Sequence, residues 1–101
     1  MRAYPRYKVA MRVLLSGRGR AAPGVFWINV RSIGEGGIGA DLPVSLESGE
    51  TVLLDLMLWE RVVSLPAAVR YHTGHLHGFQ FIDITEEQRT AIRDYCQTIA
   101  S

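Results

Sequence analysis

Arg31-Ser32-Ile33-Gly34-Glu35-Gly36-Gly37-Ile38-Gly39-Ala40 holds four glycines between two runs that alternate like strands. Upstream, Phe26, Ile28 and Val30 share one face while Trp27, Asn29 and Arg31 share the other. Downstream, Ile38, Ala40 and Leu42 resume the same period. A period of two is the mark of a strand half-buried on one face. Glycines between such runs allow positive φ angles or close backbone approaches that valine and isoleucine do not tolerate. A turn of this kind can expose backbone N–H groups in a concave cluster that suits an anion or a flat polar ligand. Glycine patterns also mark plain strand connections, so the turn alone leaves both readings open.

Outward from the turn, the same alternation recurs. Tyr7, Val9, Met11, Val13 and Leu15 alternate with Lys8, Ala10 and Arg12, which predicts a strand over 7–15. A Gly-, Arg-, Ala- and Pro-rich loop separates it from the strand over 25–32. After the strand over 38–42 and a turn at Pro43 to Gly49, residues 51–59 are so apolar that both faces are expected to be covered. Strands over 62–72 and 75–82 follow, joined by a Thr73-Gly74 turn, and Pro66 points to a bulge or an edge position. Then the period changes. Thr85 and Gln88 have capping-box spacing, Glu86 and Glu87 suit the first turn of a helix, and Ala91, Ile92, Tyr95 and Ile99 recur at helical spacing. The pattern predicts an all-β fold: a six-stranded antiparallel barrel over residues 7–82, closed by a C-terminal helix over 85–99. At 101 residues the chain is one domain's length.

Composition removes several classes of function. The first apolar run after Arg2 is broken by Lys8 and Arg12, unlike a secretory leader. No run approaches the roughly 18 apolar residues of a membrane span, so membrane insertion is not expected. Cys96 is the sole cysteine, which rules out an intrachain disulfide framework and reads as a helix-packing thiol. A cytoplasmic location is the simplest expectation. His72, His75 and His77 cluster at a hairpin, but no fourth ligand has supporting spacing, and exposed hairpin histidines are expected rather than a metal site. No nucleophile, base and orienting group can be assembled, so neither catalysis nor a cofactor is expected. A sequence pI near 8.0 does not point to nucleic acid.

Charge is unevenly distributed. Seven bases precede the first acid, Glu35, whereas four bases and ten acids lie from Glu35 onward. The N-terminal third therefore favours an anionic partner. Arg2-Ala3-Tyr4-Pro5-Arg6 places two arginines four residues apart ahead of the first strand, where residues 1–6 read as a flexible arm. Two guanidiniums on such an arm can close on one ligand. Each fork pairs bidentately with phosphate or with the O6/N7 edge of guanine, and each can stack on a base.

With these residues in view, the sequence resembles the PilZ domain over essentially its whole length. The Arg-x-x-x-Arg arm at Arg2 and Arg6, the strand ending in a glycine turn, and Gly78-Phe79-Gln80-Phe81-Ile82-Asp83 before the last helix are similar to that family's pattern. The resemblance implies a six-stranded barrel that binds cyclic di-GMP, a bacterial second messenger with two guanines and two phosphates. Arg2, Arg6, Ser32, Gly34 and Gly37 are the implied ligand-binding residues. The family's second motif, Asp/Asn-x-Ser-x-x-Gly, is altered: Ser32 stands at the acid or amide position and Gly34 at the serine position, while Gly37 is retained. Asn29 lies three residues too early to substitute. Two readings follow. One is a cyclic di-GMP receptor that relays its signal to an unidentified partner protein, with the arm ordered by ligand. The other is an interaction module that has lost nucleotide binding. The arginine pair favours the receptor, and the altered motif favours the module.

Overall fold

The computed structural model describes residues 4–17 and 24–100. These form strands β1 (Tyr7–Gly17), β2 (Gly24–Ile33), β3 (Gly37–Asp41), β4 (Thr51–Leu58), β5 (Arg61–Thr73) and β6 (Leu76–Phe81), then helix α1 (Glu86–Ile99). The strands close into a barrel in the order β1-β2-β3-β6-β5-β4, each pair antiparallel. Closure leaves no continuous exposed edge for another chain to pair with. The expected loop after 15 is shorter than the sequence suggested, because Gly17 still pairs with Gly24. Arg18 and Arg20 lie outside the described residues.

Alternation fills the interior. Val13 and Leu15 of β1, Ile28 and Val30 of β2, Ile38 and Ala40 of β3, and Phe79 of β6 are all buried against Leu54, Leu56, Leu65 and Val69. Burying a Val, Leu or Ile side chain contributes about 1.5–3 kcal/mol, so this shared interior dominates the stability. β4 departs from expectation. Its inward residues Val52, Leu54, Leu56 and Leu58 are buried, but Leu53, Asp55 and Met57 are only half-buried. One face is covered fully and the other partly, as in a barrel wall facing water.

Pro66 sits where the β5–β6 ladder ends. The last pair is Ala67 with Phe81, and beyond it the Pro66 carbonyl accepts from Ile82 N–H at 2.9 Å. The missing N–H of Pro66 points to that same side, where no strand is left to receive it. Two residues earlier, the Ser64 carbonyl accepts from Gln88 Nε2 at 3.0 Å, so the helix covers the part of β5 that β6 does not reach.

The capping box holds. Thr85 Oγ1 accepts from Gln88 N–H at 3.1 Å and Gln88 Oε1 accepts from Thr85 N–H at 3.0 Å. Ala91, Ile92, Tyr95 and Cys96 turn inward and seal one barrel end. Tyr95 packs on Trp59 of the β4–β5 turn at 4.9 Å between ring centroids. Cys96 Sγ lies 3.8 Å from the Ile33 carbonyl, so the helix ends beside the start of the glycine turn. Among the described residues no helix is long and apolar enough to cross a membrane.

His77 corrects the expectation of exposed hairpin histidines. It is fully buried, with Nε2 accepting from Leu46 N–H at 3.0 Å and Nδ1 2.9 Å from the His75 carbonyl. Those partners assign the proton to Nδ1. The ring therefore ties the 42–50 connection to the barrel. His72 and His75 remain exposed, and among the described residues no group of three metal-ligating side chains converges.

Candidate functional site

The turn between β2 and β3 is built for close packing, not for unusual dihedrals. The positive-φ glycines among the described residues are Gly24, Gly49 and Gly74, so Gly34, Gly36, Gly37 and Gly39 all keep ordinary φ. What they supply is space. A Cβ on Gly34 would collide with the Pro5 carbonyl and one on Gly37 with the Phe79 carbonyl. The turn's own hydrogen bonds engage part of its backbone: Gly34 N–H donates to the Gly37 carbonyl at 3.0 Å and Phe81 N–H to the Gly36 carbonyl at 2.9 Å. The expected concave cluster of N–H groups is thus reduced at Gly34, whose donor already has a partner.

Arg6 lies across this turn. Its Nη1 is 3.5 Å from Ser32 Oγ. Its Nη2 is 3.2 Å from where a Gly37 Cβ would stand, its Nη1 is 3.7 Å from that point on Gly39, and its Cδ is 3.4 Å from that point on Gly34. Arg6, Ser32, Gly34 and Gly37 therefore meet at one place, although 26 residues separate Arg6 from Ser32. Arg2 lies outside the described residues. Asn29 belongs to another surface: with Val9, Met11, Arg12, Arg31 and Asp41 it lines an open groove of about 420 Å³.

Three contributors were not legible at the sequence level. Gly39 is one: its missing side chain leaves room for Ser32 Oγ, which sits 2.8 Å from the Cβ position, and for Arg6. The two-residue spacing from Gly37 along a strand was the available signal. Tyr4 and Arg89 are the others. Tyr4 stands over Gly36, with Cδ2 3.4 Å from that glycine's Cβ position. Arg89 Nη1 donates to Tyr4 Oη at 2.8 Å, and the guanidinium carbon lies 5.3 Å from the ring centroid. Arg89 Nε is buried without a hydrogen-bond partner. No local pattern links residues 85 apart. Residues 4–6, the near half of the arm, are thus held between the glycine turn and α1.

Cys96 fits a packing role. Burial pushes its thiol up to about 11, and the negative charge of Glu35 adds to the shift. A protonated, buried sulfur is a poor nucleophile.

The fold is a small closed six-stranded barrel with a C-terminal helix, and the arm arginine Arg6 lies across a glycine turn on its outer wall. The PilZ domain family model matches residues 1–98, and the chain belongs to that family. Solved structures agree on the fold. The PilZ domain of CeSA from a cellulose-synthesizing bacterium superposes with a TM-score of 0.74 at 13% identity, covering 96% of this chain and 99% of the other. The PilZ domain of YcgR from Escherichia coli, solved with c-di-GMP, gives 0.72 at 14% identity over 98% and 93%. MotI/DgrA of Bacillus subtilis, an inhibitor of motility, gives 0.80 at 22% identity over 98% of this chain and 50% of its own. No curated protein sequence matches the chain.

Proposed function

We propose that this domain is a cyclic di-GMP receptor that acts by binding, not by catalysis, and relays the signal to a partner protein in the cytoplasm. The observation that carries this reading is the convergence of Arg6 with Ser32, Gly34 and Gly37 on one outer patch. Family membership supports it, as does the structural likeness to YcgR, whose PilZ domain was solved with c-di-GMP.

The chemistry follows from the groups present. Arg6, together with Arg2 of the same arm, supplies fixed positive charge and planar forks for phosphate oxygens or a guanine edge. Ser32 offers one hydroxyl where the family pattern has an acid or amide. It can accept one guanine N–H where a carboxylate would accept two. The glycines let the arm lie close against the turn, and so hold the Arg6 guanidinium beside Ser32. The ligand-free interaction module is less well supported, because nothing in that role calls for a guanidinium across the altered motif.

Equilibrium dialysis of the whole chain against radiolabelled cyclic di-GMP tests the proposal, with unlabelled cyclic di-GMP, GTP and GMP as competitors. Saturable binding displaced by cyclic di-GMP alone is expected. Equal displacement by GTP would show a general anion site and refute the assignment.

A further inference from the structure

Lys8 is the only lysine in the chain, and neither motif accounts for its place. It pairs with Ser32 across β1 and β2, and Ser32 pairs in turn with Gly39 of β3. One residue back, Tyr7 packs on the core opposite fully buried Ile33. Successive side chains of a strand alternate between faces, so Lys8 and Ser32 both stand on the outer wall, and Lys8 is exposed. The Arg6 guanidinium lies over the same spot, with Nη1 3.5 Å from Ser32 Oγ and 3.7 Å from the Gly39 Cβ position. Cβ atoms of directly opposed residues are roughly 5 Å apart. The four-carbon stem of Lys8 therefore carries its ammonium to whatever rests against Ser32 and Arg6.

Neighbouring cations on this wall are already engaged. Arg12 lies over the Trp27 ring at 5.1 Å from its centroid, and Arg31 Nε pairs with Asp41 at 2.7 Å. Among the described residues no carboxylate is within ion-pair distance of Lys8.

The altered motif explains why. An acid at position 32, as the family pattern has it, would stand directly opposite Lys8, and opposite charges so placed form a cross-strand pair. Ser32 is neutral, so the Lys8 charge is left for an anion from outside. The change that removes an acceptor for a guanine edge thus adds a cation to the patch. An ammonium is a compact point charge with three rotatable donors. It suits a phosphate oxygen and has no planar fork with which to stack on a base.

We propose that Lys8 is a phosphate-binding residue of the site: its ammonium, opposite Ser32, donates to an oxygen of a ligand phosphate beside Arg6. The assignment rests on the cyclic di-GMP reading and extends it to a residue outside both the arginine and the glycine motifs, with serine at position 32 as the change that makes Lys8 available. Losing a charge-assisted contact at an exposed position weakens binding by at least about fivefold.

The test is titration of the full chain with cyclic di-GMP at low and at high salt, for wild type, Lys8→Gln, Lys8→Arg and Arg6→Ala, each checked by thermal melting. Glutamine keeps the length without the charge, so it should lose at least fivefold at low salt and less at high salt, where an exposed charge is screened. Arginine keeps the charge and is expected to bind within about threefold of wild type. A single lysine also permits a direct footprint: acetylation of Lys8 by an N-hydroxysuccinimide ester, read by peptide mass spectrometry, should slow when cyclic di-GMP is bound. Lys8→Gln binding as tightly as wild type at both salt concentrations, with Arg6→Ala still crippled, would overturn the role of Lys8 and leave the receptor reading intact. An equal loss in Lys8→Arg and Lys8→Gln would overturn the charge assignment. A wild-type chain that does not bind would remove both the assignment and the reading it rests on.

Discussion

Replacing Gly34 by alanine isolates the contact between arm and turn. The new Cβ would collide with the Pro5 carbonyl oxygen. A relaxed carbon–oxygen contact is roughly 3.3–3.6 Å, so Pro5 has to retreat by on the order of 1 Å. Arg6 is the next residue, and its 3.5 Å approach to Ser32 Oγ is already at the limit of a hydrogen bond. A shift of that size breaks the approach and withdraws the guanidinium from the turn. Losing one charge-assisted hydrogen bond costs about 1.5–3 kcal/mol, or roughly 10- to 150-fold in affinity. The barrel should hardly notice. Gly34 has ordinary φ, and alanine at a compatible position tends to stabilise by about 0.4–1 kcal/mol through the unfolded chain. Serine carries the same Cβ. Rebuilding the family motif with Gly34→Ser should therefore weaken binding, although it restores a hydroxyl. Gly37→Ala is the contrasting control, because its Cβ meets the Phe79 carbonyl inside the sheet, which cannot retreat, and the melting temperature should fall. Calorimetric titration with cyclic di-GMP and a thermal melt of each variant decide the matter. Wild-type affinity in Gly34→Ala at an unchanged melting temperature would refute the reasoning.

His77→Phe leaves Leu46 N–H buried without its acceptor, at a cost of about 1–3 kcal/mol. Hydrogen exchange should quicken at Leu46 in particular, and unchanged protection there would argue against the assigned bond. Arg89→Ala removes the donor and the cation beside Tyr4. Amide relaxation should then report greater motion at Tyr4 and Arg6 with an unaltered barrel, and an arm equally rigid in both proteins would show that Arg89 does not hold it. Cys96 gives a pH dependence. Its folded pKa is raised, from 9.0 to about 11, so the thiol's contribution to stability is complete below pH 9 and is lost as pH rises toward 11. Urea midpoints for wild type and Cys96→Ala should converge over that interval, and a constant difference between them would contradict the shift.

Most of the fold was legible because barrel strands and helix declare themselves locally. Alternation at Val13 and Leu15, or at Ile28 and Val30, needs no distant partner to be recognised. The Thr85–Gln88 box likewise lies within one helical turn. Readings failed where burial is decided by another segment. His77 looked exposed because the connection that covers it, through Leu46, lies 31 residues away. The outer face of β4 looked buried because periodicity counts apolar residues and does not say what lies over them. At the site, the arginine arm and glycine turn could be read as motifs, and their meeting at Ser32 is a product of the β1–β2 register. The placing of Gly39 against Ser32 and the Tyr4–Arg89 contact depend on a slip in strand pairing and on how the last helix packs. Sequence spacing carries neither.

The central claim is that Arg6, laid across the altered turn, makes this barrel a cyclic di-GMP receptor. Isothermal calorimetry of the full chain, wild type against Arg6→Glu, tests it most directly. Charge reversal places a carboxylate beside Ser32, where an anionic ligand would be repelled, without touching the core. The account predicts saturable heat for the wild type and none for Arg6→Glu at equal melting temperature. A wild-type titration without saturation at high micromolar ligand, or an Arg6→Glu variant that binds as wild type does, would contradict it.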